Sequence, residues 1–159
     1  SVASRGLGDV YKRQAVDNPT NLGAIVRSAA ALGWDGLLLD STSADPLARR
    51  ALRVSMGTGL SLPFGRLDPD ENLVTALHRH GFVTCALTPD DAADDISTVE
   101  TGGAAKIAVL LGSERAGLST GALSSAVHRV RIPMHSGTDS LNVGAAAAIA
   151  LQMLGPNAR

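Results

Sequence analysis

Three loops rich in Asn, Ser, Thr, Asp and Gly carry most of the side chains in this sequence that could do chemistry. They are DNPTNLGAIVR at residues 17–27, LLGSERAGLS at 110–119 and IPMHSGTDSLNVG at 132–144. Two of them directly follow apolar runs typical of strands. In open α/β sheets, ligands bind at the carboxyl ends of strands, where helix N-termini and free backbone amides point outward. The loops therefore predict a ligand site at one edge of a sheet.

The common nucleotide, hydrolase and metal signatures are absent from the sequence. It contains no G-x-G-x-x-G after a strand and no G-x-x-x-x-G-K-[ST], and GSERAG at 112–117 does not match the G-x-S-x-G nucleophile turn. The four histidines lack the spacing to Cys or acidic partners that a metal site requires; they are His78, His80, His128 and His135. We therefore expect no metal.

Length and composition indicate one globular domain. The chain has 159 residues, 45% of them hydrophobic and only 3% aromatic, so its core must be built from Ala, Val, Leu and Ile. No apolar run approaches the roughly 18 residues of a membrane span, and the first residues lack a secretion signal. We expect a cytoplasmic protein without membrane contact, in which Cys85 packs as a small core residue.

The net charge of -1 does not indicate a polyanionic partner, although the charged residues are unevenly distributed along the sequence. Arg49, Arg50 and Arg53 fall in one short helical stretch, and Arg129 and Arg131 flank Val130. Solvated surface arginines are the simpler interpretation of both groups, and a nucleic-acid contact is the alternative.

Alternating apolar runs and helical patterns predict a mostly parallel sheet flanked by helices on both faces. Leu22, Ile25, Val26 and Ala29 recur at helical spacing after the turn that begins at Asn18. Further helices are predicted over residues 45–55, 70–80, 120–127 and 142–154, and strands at GLLLD, FVTCALT, KIAVLLG and HRVRIP.

The opening SVASRGLGDVYKRQ has neither helical nor strand periodicity. A strand is expected before the turn at residues 17–21, yet only Ala15 and Val16 remain for it. We therefore predict that residues 1–14 are a non-native or disordered leader and that residues 15–159 form the domain.

The three polar loops, in this order, resemble the three motifs of the SpoU-type RNA ribose methyltransferases. DNPTNLGAIVRSAAALG is similar to the first motif, LLGSERAGLS to the second and IPMHSGTDSLNVGAAAAIAL to the third, and RVSMGTGLSLP resembles a segment between the first two. The resemblance implies the SPOUT fold, in which the C-terminal segment forms a deep trefoil knot. It also implies a homodimer that methylates the ribose 2′-hydroxyl of structured RNA, either tRNA or rRNA.

The resemblance further implies S-adenosylmethionine as cofactor and assigns residues to its site. The cofactor contacts fall on Leu111, Gly112, Ile132, Met134 and Leu141; the catalytic or site-shaping positions fall on Arg27, Asn21, Glu114, Ser140 and Asn142. Core packing is the alternative for Ile132 and Leu141, and a surface ion pair is the alternative for Arg27.

Two departures from the family pattern affect the expectation. Ser136 stands where the family often has glycine, with Gly137 following, which predicts an altered loop geometry. The reduced first strand could lower activity. The competing functional hypothesis is therefore a cofactor- or RNA-binding module of the same fold that lacks activity.

Overall fold

The structure, a computed structural model, describes residues 18–113, 117–135 and 141–156, together with the backbone of residues 9–13. Its centre is a parallel sheet of seven strands in the order β3-β2-β1-β6-β4-β7-β5. The strands are β1 (Asp9–Arg13), β2 (Gly36–Leu39), β3 (Phe64–Arg66), β4 (Val83–Leu87), β5 (Asp94–Asp95), β6 (Ile107–Leu111) and β7 (His128–Arg131). This confirms the predicted α/β class with a parallel sheet.

The described residues form five α-helices, four of them between strands and the fifth after β7. They are α1 (Pro19–Ala31), α2 (Arg49–Val54), α3 (Leu73–Arg79), α4 (Thr120–Ser125) and α5 (Val143–Leu154). Side chains of the residues just before α1, α3, α4 and α5 accept hydrogen bonds from the first helical turn; these residues are Asn18, Asn72, Ser119 and Asn142. In the described ranges, no helix is long and apolar enough to cross a membrane.

Two apolar clusters cover the two faces of the sheet, as predicted. One packs α1 and α5 against the sheet and includes Leu22, Ile25, Val109 and Leu151. The other packs α3 and α4 against the opposite face and includes Leu73, Leu77, Ala108, Leu110 and Ala122. Cys85 is completely buried in the first cluster, which confirms its role as a core residue.

Strand β1 corrects the expectation that the first strand is nearly absent. Asp9–Arg13 pairs in parallel with both β2 and β6 and so lies inside the sheet. The DVYKR sequence lacks the continuous apolar run expected of such a strand, so periodicity missed it. The non-native origin of residues 1–14 stays a prediction, and the start of the proposed domain at residue 15 lies outside the described residues.

Helix α2 is shorter than its sequence pattern predicted. The predicted start at Asp45 forms a turn instead, in which the Asp45 carboxylate accepts from the backbone N–H of Leu47 and the Asp45 carbonyl accepts from Ala48. The helix begins at Arg49 and ends at Val54. An Asp side chain that bonds its own backbone two residues on favours a turn over a helix.

Candidate functional site

The three polar loops lie at the same edge of the sheet, at the carboxyl ends of its strands. The loop before α1 follows β1, the loop of Gly112 follows β6, and the loop of Ile132 follows β7. The chain runs from β1 to β2 and β3 on one side of the sheet, while β6, β4 and β7 lie on the other side. The crevice between β1 and β6 is therefore a topological switch point, where open α/β sheets bind ligands.

A side-chain hydrogen bond joins the first and third loops across the fold. The Nδ2 of Asn142 donates to the Oδ1 of Asn21 over 3.3 Å, between residues 121 positions apart. Asn21 is only 7% exposed. The Oδ1 of Asn142 also accepts from the backbone N–H groups of Gly144 and Ala145 at 2.9 and 3.3 Å, and so caps α5. Asn142 therefore fixes the start of α5 and connects it to the start of α1.

Helices α1 and α5 approach each other closely because their facing residues are small. A Cβ placed on Gly144 would lie 3.4 Å from the Cβ of Ala24. Ala147 and Ala150 are completely buried in the same cluster as α1. The thin alanine-rich helix thus brings the polar loop at its N-terminus next to the one at the start of α1.

Gly112 is required by the path of its own loop. A Cβ at this position would overlap the backbone of Gly117 and Leu118. The loop folds back there: the N–H of Gly117 donates to the carbonyl of Ser113 over 3.0 Å, and Gly117 has a left-handed φ of +64°. Any residue larger than glycine at position 112 must push this loop away from the strand end.

The predicted cofactor residues share the carboxyl edge, but their side chains have different surroundings. Along the sheet, Leu110 is level with Ala86, which is level with Arg129, so the ends of β6 and β7 lie roughly 10 Å apart, two interstrand spacings. Gly112 and Ile132 follow those ends directly.

The side chain of Leu111 is 1% exposed and belongs to the core, so a ligand could meet only its backbone. Ile132 is half-buried and packs on the edge of that core. Met134 is half-buried, and Leu141 is 38% exposed. Ile132, Met134 and Leu141 thus have side-chain surface left for a ligand, whereas Leu111 does not.

Arg27 lies on the solvent side of α1. Its side chain is exposed, while Leu22, Ile25, Val26 and Ala29 are buried, as the helical spacing predicted. Within the described part of the chain, its guanidinium group has no acidic partner, so the structure does not support the alternative of an intramolecular ion pair. A planar group with five N–H donors at this place is suited to phosphate.

Two predicted site residues lie outside the described residues. These are Glu114 and Ser140. Their assignments stay predictions.

Sequence reasoning missed Thr20, which lies next to Asn21. Its Oγ1 is buried and has no hydrogen-bond partner among the described residues, whereas its backbone N–H donates to Asn18 Oδ1 at 2.9 Å. Buried polar atoms are nearly always paired, so this hydroxyl is an unexplained polar group beside Asn21. Its position in the polar turn NPTN was the available signal.

Metal and thiol chemistry find no support at this edge. Among the described residues, no three His, Cys, Asp or Glu side chains are grouped to hold a metal ion. Burial raises the pKa of the Cys85 thiol to about 11, so it is not a nucleophile at neutral pH.

The sequence profile of the SpoU rRNA Methylase family matches residues 13–152 of the chain. An uncharacterized tRNA/rRNA methyltransferase of Mycobacterium tuberculosis is 42% identical over 146 residues, which are 91% of this chain and 51% of that protein. An uncharacterized tRNA/rRNA methyltransferase of Synechocystis is 34% identical over 145 residues, with the same coverage of 91% and 51%. The chain thus spans about half the length of these relatives.

Solved structures have the same fold. The AdoMet-bound rRNA methyltransferase of Sinorhizobium meliloti superposes with a TM-score of 0.84 at 28% identity, over 94% of this chain and 57% of that one. The SpoU methyltransferase AviRb of Streptomyces viridochromogenes, also in complex with AdoMet, superposes with a TM-score of 0.76 at 31% identity, over 89% and 54% of the two chains.

Proposed function

The chain belongs to the SpoU rRNA methylase family, and from this membership and the geometry of its polar edge we propose that it methylates the ribose 2′-hydroxyl of structured RNA in the cytoplasm. The methyl donor is S-adenosylmethionine. In the reaction the sulfur–methyl bond breaks, a bond forms between the methyl carbon and the 2′-oxygen, and the hydroxyl proton is released. The substrate is tRNA or rRNA, in line with the names of the related proteins.

The hydrogen bond between Asn21 and Asn142 is the observation that carries this proposal. It holds the first and third motifs together at 3.3 Å, although 121 residues separate them. Gly112 of the second motif follows β6, which pairs directly with β1 at the same edge. Three segments with the sequence pattern of one family therefore border one crevice, which is the requirement for a shared site.

The residues present fit S-adenosylmethionine. The apolar surfaces of Ile132, Met134 and Leu141 suit an adenine ring, and the backbone around Gly112 supplies donors and acceptors to its edge. The unpaired Oγ1 of Thr20 is a further polar group beside the crevice. When bound, the cofactor supplies a methyl group activated by a positively charged sulfur.

Arg27 is proposed to hold the RNA in position. A guanidinium group has five N–H donors and no acceptor, so we assign it to the phosphate next to the reacting ribose and to orientation of the 2′-hydroxyl. Correct placement of two reactants can lower a barrier by about 7 to 11 kcal/mol. Asn21 and Asn142 hold the loops, and Glu114 and Ser140 are proposed to shape the rest of the site.

Two architectural features accompany the proposal. The first is a C-terminal trefoil knot, supported by the similarity to the SpoU structures and by the close approach of α5 to α1. The second is a homodimer. The exposed side chains of Ala145, Ile149 and Met153 follow one another every four residues on α5, and Leu141 lies four residues before Ala145, just ahead of the helix; the larger three are 37–38% exposed. Such an apolar stripe is suited to a second copy of the chain.

A methylation assay tests the function. Deproteinised bacterial RNA is incubated with the protein and S-adenosylmethionine carrying a tritiated methyl group, then digested to nucleosides and separated. Label in 2′-O-methylnucleosides is the expected result, and label only in methylated bases would contradict the ribose assignment. Calorimetry with S-adenosylmethionine then separates an inactive cofactor-binding module, which binds without transferring, from a protein that does not bind it.

Arg27→Ala and Arg27→Lys are the informative variants in this assay. Both should keep the affinity for S-adenosylmethionine, because Arg27 is assigned to the RNA and not to the cofactor. Arg27→Ala should lose turnover, and Arg27→Lys should recover only part of it, since an ammonium cannot bind phosphate in the bidentate geometry of a guanidinium. Wild-type turnover in Arg27→Ala would remove this residue from the mechanism.

A further inference from the structure

The charges of this chain are segregated along its sequence. Residues 18–34 and 46–67 contain five arginines and no Asp or Glu, so all fifteen acidic residues lie elsewhere. These two stretches hold α1, α2 and the turns around α2. The net charge of -1 therefore hides a strongly positive region on one side of the molecule.

Four of the five arginines in this region are free to bind a ligand. Arg27, Arg49, Arg50 and Arg53 are exposed, and in the part of the chain that the structure describes none has an ion pair or hydrogen-bond partner. Arg66 is different, because its guanidinium donates to the backbone carbonyls of residues 40, 43 and 44 and thus holds the preceding loop. These four arginines form charged surface that has no counterion among the described residues.

The three arginines of α2 occupy one side of the helix. At about 100° per residue, Arg49, Arg53 and Arg50 fall within a sector of about 100°. Two of them stand in the first turn, which contains no acidic residue, although a helix N-terminus favours negative charge. Helix stability therefore does not account for their position, whereas binding of an anion does.

Arg27 stands on the helix against which α2 packs. A Cβ on Gly23 would lie 2.5 Å from the carbonyl oxygen of Ala51, so α1 and α2 touch backbone to backbone there. Arg27 is four residues after Gly23 and thus lies one turn further along the same side of α1. Ala51 lies about 150° around α2 from the middle of the arginine sector, so the positive charges lie on two adjacent helices, with Arg27 on α1 and the three arginines on the solvent side of α2.

We infer that the surface of Arg49, Arg50 and Arg53, named here the α2 arginine face, binds the phosphate backbone of the RNA beyond the nucleotide that is methylated. This inference rests on the proposed function, because it states which surface the RNA substrate contacts beyond the methylated nucleotide. An RNA is favoured over a protein partner because clustered guanidinium groups with like charge are the usual contacts of a phosphate backbone. The contacts are electrostatic and independent of sequence.

Salt-dependent RNA binding tests the α2 arginine face. Fluorescently labelled bulk bacterial tRNA is titrated with the full chain at 50 to 200 mM KCl. Each phosphate contact contributes about 0.7 to 0.9 to the slope of log K against log salt, so R49Q/R50Q/R53Q should lower that slope by about 2 to 3. The loss of affinity between the two salt concentrations should then be about 20- to 40-fold smaller than in wild type.

R79Q/R129Q is the matched control, to be compared with R49Q/R50Q. Arg79 and Arg129 are also exposed, on α3 and β7, and the two double variants change the net charge equally. The control should keep the wild-type slope, and R49Q/R50Q should lower it by about 1.5. Calorimetry with S-adenosylmethionine should give wild-type affinity for all variants.

Several results would overturn the inference. They are a wild-type protein that does not bind RNA, equal slopes in R49Q/R50Q and R79Q/R129Q, and loss of oligomerisation in the triple variant on size-exclusion chromatography, which would make the face an interface between copies. Failure of the proposed function is a different observation. In that case the wild type binds RNA with the expected slope but transfers no methyl group to ribose.

Discussion

Replacing Asn142 by serine separates the two contacts of its side chain. The Oδ1 caps α5 by accepting from two backbone N–H groups, and the Nδ2 donates to Asn21. Serine retains an oxygen that can cap the helix but is too short to reach Asn21, whereas alanine can do neither. The pair of variants therefore distinguishes helix capping from the bond between the first and third motifs.

The magnitudes follow from these contacts. Loss of an Asn cap costs about 1 kcal/mol, and loss of one hydrogen bond costs about 0.5 to 1.5 kcal/mol. Asn142→Ala should therefore lower the free energy of unfolding by about 2 kcal/mol, and Asn142→Ser by about 1 kcal/mol. For a chain of this size, about 2 kcal/mol corresponds to a decrease in Tm of about 4 to 8 °C.

Urea unfolding measures both variants, with the fluorescence of the buried Trp34 and far-ultraviolet circular dichroism as probes. A double-mutant cycle between Asn21→Ala and Asn142→Ser isolates the bond itself, and its coupling energy should be about 0.5 to 1.5 kcal/mol. A coupling below about 0.3 kcal/mol would refute the bridge, because that is the scatter of independent sites. Equal stability of the serine and alanine variants would refute the capping role.

Three further predictions concern the loop after β6, the core thiol and the outer side of α5. Gly112→Ala should displace the 117–118 backbone, and calorimetry should show at least tenfold weaker binding of S-adenosylmethionine at a retained fold by circular dichroism. Because burial raises the pKa of Cys85 from about 9 to about 11, the neutral thiol contributes stability that is complete below pH 9 and is lost as the pH rises through 11; Cys85→Ala should lack this decline in urea unfolding. Ile149→Glu should give a monomer in light scattering, whereas a dimer in this variant would contradict an interface on α5.

The helices of this fold could be predicted from sequence because their signals are local. An Asn cap and a repeat of apolar residues determine α1, α3 and α5 within a few residues, and their predicted and observed bounds agree closely. Strand β6 was equally clear, because IAVLL is buried throughout. The structure of these elements is determined by residues that are close together in the sequence, so it could be predicted from the sequence alone.

Strand β1 and helix α2 were predicted poorly because their structure depends on competing contacts. DVYKR has no apolar pattern of its own and becomes a strand by pairing with β2 and β6 on its two sides. At residues 45–48, the apparent cap and proline of a helix start form a turn instead, since the Asp45 carboxylate bonds the nearby Leu47 N–H. In both places the sequence allows two structures; distant strands select one for β1, and a local side-chain bond selects the other at Asp45.

In the candidate site, too, some features follow from the local sequence and others from contacts between distant residues. Each asparagine alone looks like an ordinary residue of a helix start, and nothing within ten residues of either predicts that Asn21 and Asn142 bond to each other. That contact requires α1 and α5 to lie on one face of the sheet with small residues between them, as at Gly144 and Ala24. A larger side chain at position 144 would separate the helix starts, and with them the motifs, without altering any polar residue. The alanine-rich sequence of α5 is therefore part of the site, because it sets the distance over which the polar side chains meet.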